Sequence, residues 1–288
     1  MFRMSYFPQA CAALLASTDE IVEVMRNREN EGHDDSGLNP ASESAMTHNV
    51  SHPDRRTALS CILASLAFAT VSLGVPHAVR AAALTKEERD RLSPARVIEM
   101  LKRGNERFHT GRMQAHDYLA QKRATAGGQY PAAAILSCID SRAPAEIILD
   151  TGIGYTFNAR VAGNIANDDL IGSLEFACAA AGAKVVLVMG HTACGAIKGA
   201  IDNVELGHLT ALLEKIKPAI AATTFNGERT SKNKRFVDAV AATNVRRTVQ
   251  DIRARSTVLA GLEKDGKIKI VPSMYDLVGG RVEFFENT

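Results

Sequence analysis

Two apolar runs that each end in a polar loop constrain the fold of this chain more than any other feature. Residues 132–136 run directly into the sequence CIDSR at 138–142, and residues 185–189 run into HTACG at 191–195. Continuous apolar runs of this length are typical of strands buried inside a parallel sheet. Because open α/β sheets bind ligands beyond the carboxyl ends of their strands, the two loops are expected to converge on one point.

The sequence from residue 84 onward predicts an α/β fold with a mainly parallel β-sheet flanked by helices. Thr85 and Glu88 form the pattern of a capping box, and Pro94 suits the first turn of a helix that runs to about residue 108. Further helices are predicted at 117–125, 144–149, 168–181, 205–222 and 235–262. Strands are predicted at 132–137, 155–159, 184–189, 267–271 and 281–285.

The first 83 residues have a different composition and divide into two segments. Residues 1–45 include a polar stretch with nothing apolar to bury, and we expect them to be disordered or to lie upstream of the true start. Residues 46–83 have the three parts of an export signal, namely a basic start at Arg55 and Arg56, an uncharged run at 58–75 and a small-residue end at 78–83. The paired arginines indicate the twin-arginine route.

A membrane anchor is the alternative to an export signal. The apolar run is barely long enough to span a bilayer and is diluted by serine and threonine, which favours cleavage over anchoring. We therefore expect translation from about Met46, cleavage near Ala83 and a periplasmic domain at 84–288. On this interpretation the chain contacts a membrane only during export.

Composition narrows the class of partner. A net charge of +2, without a stripe of lysine and arginine, gives no basis for nucleic-acid binding, so small molecules are the expected partners. An apolar content of 46% allows one large core. Five cysteines make a poor disulfide framework for a chain of 288 residues, which favours a metal site or a reactive thiol.

Cys138, His191 and Cys194 together supply two thiolates and one imidazole, a donor set typical of zinc. Structural zinc usually has four protein ligands, whereas catalytic zinc has three and an open position. Either cysteine alone would more often be a small apolar filler, and Cys178, among alanines in a predicted helix, is expected to be one. A redox site is disfavoured because the chain has no Cys-x-x-Cys.

Asp140 and Arg142 lie two residues apart in the first loop, close enough for a charge-assisted pair. Such a pair would hold the carboxylate beside the metal and keep the fourth position open. The carboxylate could then orient a metal-bound water. The alternative is an exposed ion pair of little consequence, which is disfavoured because Cys138 already places this loop at a site.

Several motifs together resemble the β-class carbonic anhydrases and cover about residues 90–286. The likeness is specific because the motifs occur in the same order and spacing as in that family. They are GNERF at 104–108, CIDSR at 138–142, RVAGN at 160–164, SLEFA at 173–177, GHTACGAIKG at 190–199 and YDLVGGRVEF at 275–284.

The resemblance implies a zinc ion bound by Cys138, His191 and Cys194, with Asp140 and Arg142 as the catalytic pair. In some members the aspartate leaves its arginine and becomes the fourth metal ligand, so Asp140 is also a candidate ligand in a closed form. The resemblance further implies N-terminal helices that embrace a dimer partner, and a homodimer or a dimer of dimers. Val161 departs from the asparagine that the family often has there.

The implied activity is the reversible hydration of carbon dioxide to bicarbonate and a proton, by zinc-bound hydroxide that the Asp140–Arg142 pair orients. A hydrolase of carbonyl sulfide or carbon disulfide on the same zinc site is the close alternative, since these substrates are also small and linear. A noncatalytic zinc-binding protein is a further alternative. It is disfavoured because such a site has no use for an oriented, open position.

Overall fold

The computed structural model describes residues 82–285. The predicted segment 1–45 and nearly all of the predicted export signal at 46–83 lie outside the described residues. Within residues 82–285, none of the helices combines the length and the apolar character needed to cross a membrane.

The described chain alternates helices and strands. The helices are α1 (Lys86–Asp90), α2 (Pro94–His109), α3 (Tyr118–Thr125), α4 (Ala145–Ile148), α5 (Asp168–Glu175), α6 (Gly195–Ile201), α7 (Gly207–Glu214), α8 (Lys217–Ala222), α9 (Lys234–Arg255) and α10 (Thr257–Lys264). The strands are β1 (Ala133–Ser137), β2 (Thr156–Arg160), β3 (Val185–His191), β4 (Lys269–Tyr275) and β5 (Val282–Phe284). A 3-10 turn (Ala162–Asn164) follows β2, and a π-helical segment (Phe176–Ala180) extends α5.

The strands form one five-stranded sheet in the order β2-β1-β3-β4-β5. The first four strands are parallel, and β5 runs antiparallel to β4. This confirms the predicted mainly parallel sheet flanked by helices. Ser137 at the end of β1 pairs with Met189 of β3, so the loop after β1 and the end of β3 lie at the same edge of the sheet.

Apolar cores lie on both faces of the sheet, because successive side chains of a strand point to opposite sides. Ala134 and Leu136 of β1 pack with Val240 and Val245 of α9 in one core. Ala133 and Ile135 pack in the other core, which also receives Val97 and Leu101 of α2. Both faces of β1 and β3 are therefore buried, which explains their continuous apolar runs.

Two predicted helices are wrong in extent, and each has a local cause. The helix predicted at 205–222 is divided into α7 and α8, because Pro218 has no N–H to donate to the carbonyl of Glu214 and its ring would clash there. The helix predicted at 235–262 is divided at Ser256. Ser256 has extended backbone, and its hydroxyl accepts a hydrogen bond from the N–H of Leu259, so it begins α10.

The N-terminal helices form where the sequence predicts them. The Thr85 hydroxyl accepts a hydrogen bond from the N–H of Glu88, and the Glu88 carboxylate accepts one from the N–H of Thr85, which confirms the capping box of α1. Pro94 occupies the first turn of α2. The embrace of a dimer partner by these helices is a property of an assembly and stays a prediction.

Candidate metal centre

The structure brings Cys138, His191 and Cys194 together at the carboxyl edge of the sheet. Cys138 follows β1 directly, His191 is the last residue of β3, and Cys194 caps the N-terminus of α6. All three side chains are buried, and their candidate ligand atoms lie within 4.8 Å of one another. The two sulfurs are 4.0 Å apart. These three residues could hold one metal ion.

The ring of His191 is oriented for metal binding. Its Nδ1 lies 2.9 Å from the carbonyl oxygen of Thr192, and because a carbonyl only accepts, Nδ1 must carry the proton. In the neutral ring Nε2 is then left with its lone pair. Nε2 is buried without a hydrogen-bond partner in the protein, and the ring belongs to the same cluster as the two sulfurs. An orphaned buried acceptor of this kind fits a metal ligand.

The two neighbouring thiols influence each other's ionisation. A hydrogen bond from the Cys194 thiol lowers the pKa of Cys138 to about 4, although burial opposes the charged form. The same hydrogen bond and burial raise the pKa of Cys194, because its ionisation would place two thiolates side by side. Burial lowers the pKa of His191, but the Cys138 thiolate and the Asp140 carboxylate raise it overall. A bound cation would favour both thiolates.

Asp140 lies beside this cluster and is paired with Arg142. The Arg142 side chain donates from Nε to Oδ1 at 3.0 Å and from Nη2 to Oδ2 at 2.8 Å, and its backbone N–H also donates to Oδ1 at 3.0 Å. The arginine holds the pKa of Asp140 at about 2, so the carboxylate stays ionised. Oδ2 of Asp140 is 3.7 Å from Nε2 of His191. Asp140 is not one of the three clustered ligand residues, and its role as a metal ligand stays a prediction.

The end of β2 and the loop after it support the Cys138 loop. Arg160 donates from Nε to the Cys138 carbonyl at 2.9 Å and from Nη2 to the Asp140 carbonyl at 2.6 Å. The N–H of Gly163 donates to the Cys138 sulfur at 3.4 Å, which stabilises the thiolate. Gly163 has φ of 69°, and a Cβ there would lie 2.6 Å from Ile216, so a side chain would clash. The buried Asn244 of α9 donates to the Gly163 carbonyl at 2.8 Å.

The sequence predicted the three clustered residues but not all of the groups that contact their loops. Arg160 and Gly163 belong to a motif quoted above without individual roles. Asn244 and Asp238, both on α9, had no distinguishing signal, because a polar residue within a long helix is usually solvated. Asp238 accepts a hydrogen bond from the N–H of Ala193, in the loop between His191 and Cys194. Cys178 is buried, and burial raises its pKa to about 12, which confirms its interpretation as part of the core.

The carbonic anhydrase family model matches residues 133–282, which include the whole cluster. Carbonic anhydrase 2 of Mycobacterium tuberculosis is 34% identical over 191 residues, which cover 66% of this chain and 91% of that protein. A carbon disulfide hydrolase of Acidithiobacillus thiooxidans is 32% identical over 104 residues, 33% of this chain and 48% of that protein. The crystal structure of the β-carbonic anhydrase CafA of Aspergillus fumigatus matches with 25% identity and a TM-score of 0.50, over 57% of this chain and 79% of that one.

Proposed function

Because the chain belongs to the β-class carbonic anhydrase family, we propose that it catalyses the reversible hydration of carbon dioxide at a zinc ion held by Cys138, His191 and Cys194. One observation carries this proposal. The ligand atoms of these three residues converge, while the neighbouring carboxylate of Asp140 is tied to Arg142. Three ligands and a restrained carboxylate leave a fourth position for water, which is the arrangement of catalytic zinc sites.

The geometry of the cluster suits zinc. Two thiolates bound tetrahedrally at about 2.3 Å from zinc would lie roughly 3.8 Å apart, and the two sulfurs are 4.0 Å apart. Thiolate sulfur and imidazole nitrogen are both common ligands of zinc in proteins. When bound, zinc would lower the pKa of a coordinated water to near neutral and so supply a nucleophile at physiological pH.

The side chains of this chain have distinct tasks in that reaction. His191 presents the Nε2 lone pair because Thr192 fixes the proton on Nδ1. Asp140 accepts a hydrogen bond from the attacking water. This hydrogen bond directs a lone pair of the water oxygen towards the carbon of the substrate. Arg142 keeps the Asp140 carboxylate ionised and prevents it from turning to the metal.

A carbon disulfide or carbonyl sulfide hydrolase is the second candidate, favoured by the partial likeness to a carbon disulfide hydrolase. We expect purified, zinc-loaded protein to turn over carbon dioxide far faster than carbonyl sulfide or carbon disulfide. Stopped-flow hydration of carbon dioxide and release of hydrogen sulfide measure the two activities on one preparation. If release of hydrogen sulfide were the faster reaction, the substrate would be carbonyl sulfide or carbon disulfide and not carbon dioxide. Full zinc occupancy with neither activity would indicate a noncatalytic zinc protein.

The edge of the sheet supports a further proposal, that the chain forms a homodimer or a dimer of dimers. β2 is an edge strand, and exposed apolar side chains accompany it. Ile147, Ile153 and Phe176 are 48%, 42% and 57% exposed, and Phe176 packs edge-on against Phe157 of β2. Unprotected edge strands beside apolar surface favour pairing with another chain.

We expect Ile153→Glu or Phe176→Glu to shift the protein towards monomer, because a charge would be buried at the contact. Light scattering after gel filtration measures the mass. Leu206→Glu is the matched control, because Leu206 is an exposed leucine in the loop between α6 and α7 and not in β2 or the segments beside it in sequence. A wild-type protein that is monomeric at all concentrations would contradict the dimer.

We also propose that the protein is exported to the periplasm by the twin-arginine route, supported by the order of features at 46–83. Folding before export would let zinc bind while Cys138 and Cys194 are still reduced. N-terminal sequencing of protein from fractionated cells should give a periplasmic species that begins near Leu84. A cytoplasmic species that begins at Met1, or a membrane species that retains 58–75, would contradict export.

A further inference from the structure

The loop between His191 and Cys194 contains a strained residue. Ala193 has φ of 54°, in the left-handed region that a residue with a Cβ adopts only at an energetic cost. It separates two candidate ligands, so its conformation determines whether both side chains can reach one ion. Strained backbone of this kind persists only where surrounding contacts hold it.

One contact holds Ala193 directly. Its N–H donates a 2.8 Å hydrogen bond to Oδ1 of Asp238, which lies 45 residues later in the second turn of α9. The residues on either side are fixed by other elements. The N–H of Thr192 donates to the Tyr275 carbonyl of β4 at 2.9 Å, and Cys194 caps α6. Asp238 is therefore the link between the strained residue and the long helix that covers this face of the sheet.

We propose that Asp238 is a positioning residue, which keeps Ala193 left-handed and so holds His191 and Cys194 in the geometry that binds a metal ion. This inference rests on the proposed metal site. Oδ1 of Asp238 supplies the acceptor for the Ala193 N–H. Without it, Ala193 relaxes towards ordinary backbone angles, and the imidazole and the sulfur move apart.

The affinity for zinc tests the proposal. Asp238→Ala is expected to weaken zinc binding by about 10–100-fold, as loss of a group that orients a metal ligand typically does. Adding Ala193→Gly to that variant is expected to restore most of the affinity, because glycine adopts the left-handed conformation without strain. The double variant is compared with Ala193→Gly alone, from which its zinc affinity should differ by less than that of Asp238→Ala differs from the wild type. Asp251→Ala, which removes an exposed carboxylate from the same helix, is the matched control and should have no effect.

Titration against a chromophoric chelator gives the affinity, and the absorption spectrum of the cobalt-substituted protein reports the geometry of the ligands. If Asp238 had a merely structural role, Asp238→Ala would lower the melting temperature of the metal-free protein without changing the cobalt spectrum. Asp238→Asn keeps an acceptor oxygen and provides a second variant if the alanine protein does not fold. It should lose less affinity than Asp238→Ala.

Wild-type affinity in Asp238→Ala, or no recovery on adding Ala193→Gly, would overturn the proposal. If Asp238→Asn and Asp238→Ala lost zinc affinity equally, the effect would come from the lost charge and not from the lost acceptor oxygen. That result would also overturn the proposal. Failure of the proposed function is distinguishable, because the wild-type chain would then bind zinc without hydrating carbon dioxide, or would not bind zinc.

Discussion

Cys138→Ser and His191→Ala are expected to purify with little zinc and to lose almost all hydration of carbon dioxide. Each change removes one of three ligands, and two ligands do not hold zinc in an open site. The loss of zinc affinity should exceed the roughly 10–100-fold loss that is typical when a residue that only hydrogen-bonds to a metal ligand is removed. Zinc content by mass spectrometry and stopped-flow hydration of carbon dioxide measure the two effects.

Cys178→Ala is the matched control for the cysteine variant. Cys178 is also buried, but it lies outside the cluster, and burial raises its pKa to about 12. It should therefore remain a neutral thiol that takes no part in metal binding. The control should keep its zinc and its activity. A full complement of zinc in Cys138→Ser or in His191→Ala would overturn the ligand assignment.

Asp140→Asn and Arg142→Ala are expected to keep zinc while kcat/KM falls by about 10²–10³-fold, the size of effect typical of losing one oriented polar group at a reacting centre. Asparagine removes the charge with little change of shape. Loss of Arg142 frees the Asp140 carboxylate from two side-chain hydrogen bonds, so that it can turn to the metal and close the fourth position. The two variants thus lose activity for different reasons.

Zinc content and kcat/KM, measured on the same preparations, test this second prediction. Asp168→Asn is the matched control, because Asp168 also pairs with an arginine, Arg255, but is 97% exposed and is not part of the cluster. Exposed ion pairs of that kind contribute little to the stability of the folded protein. If Asp140→Asn and Arg142→Ala both remained as active as this control, Asp140 and Arg142 would form only a surface ion pair.

Much of the site could be predicted because its residues follow apolar runs directly. The runs at 132–136 and 185–189 identify two buried strands, and parallel strands place the residues that follow them at the same edge of the sheet. The convergence of Cys138 with His191 and Cys194 therefore required no knowledge of distant contacts. The capping box at Thr85 was equally predictable, because all of its atoms lie within four residues.

Other parts of the site depend on contacts between residues far apart in the chain. From α9, Asp238 reaches the loop between His191 and Cys194 across 45 residues, and Asn244 reaches Gly163 in the loop after β2 across 81 residues. The division of the predicted helices depends on local detail, a proline ring at Pro218 and a capping hydroxyl at Ser256, within patterns that otherwise look continuous. Apolar periodicity reports which face of an element is buried but not which polar side chain has a distant partner.

The central claim is that one zinc ion, held by Cys138, His191 and Cys194, is required for hydration of carbon dioxide. The most direct test is to strip wild-type protein of metal with a chelator, return zinc stepwise and measure stopped-flow hydration at each step. Activity should be absent at the start, rise in proportion to zinc and level off at one ion per chain, as expected for the single cluster in residues 82–285. Activity that survives complete removal of metal, or zinc that binds without restoring it, would contradict the account.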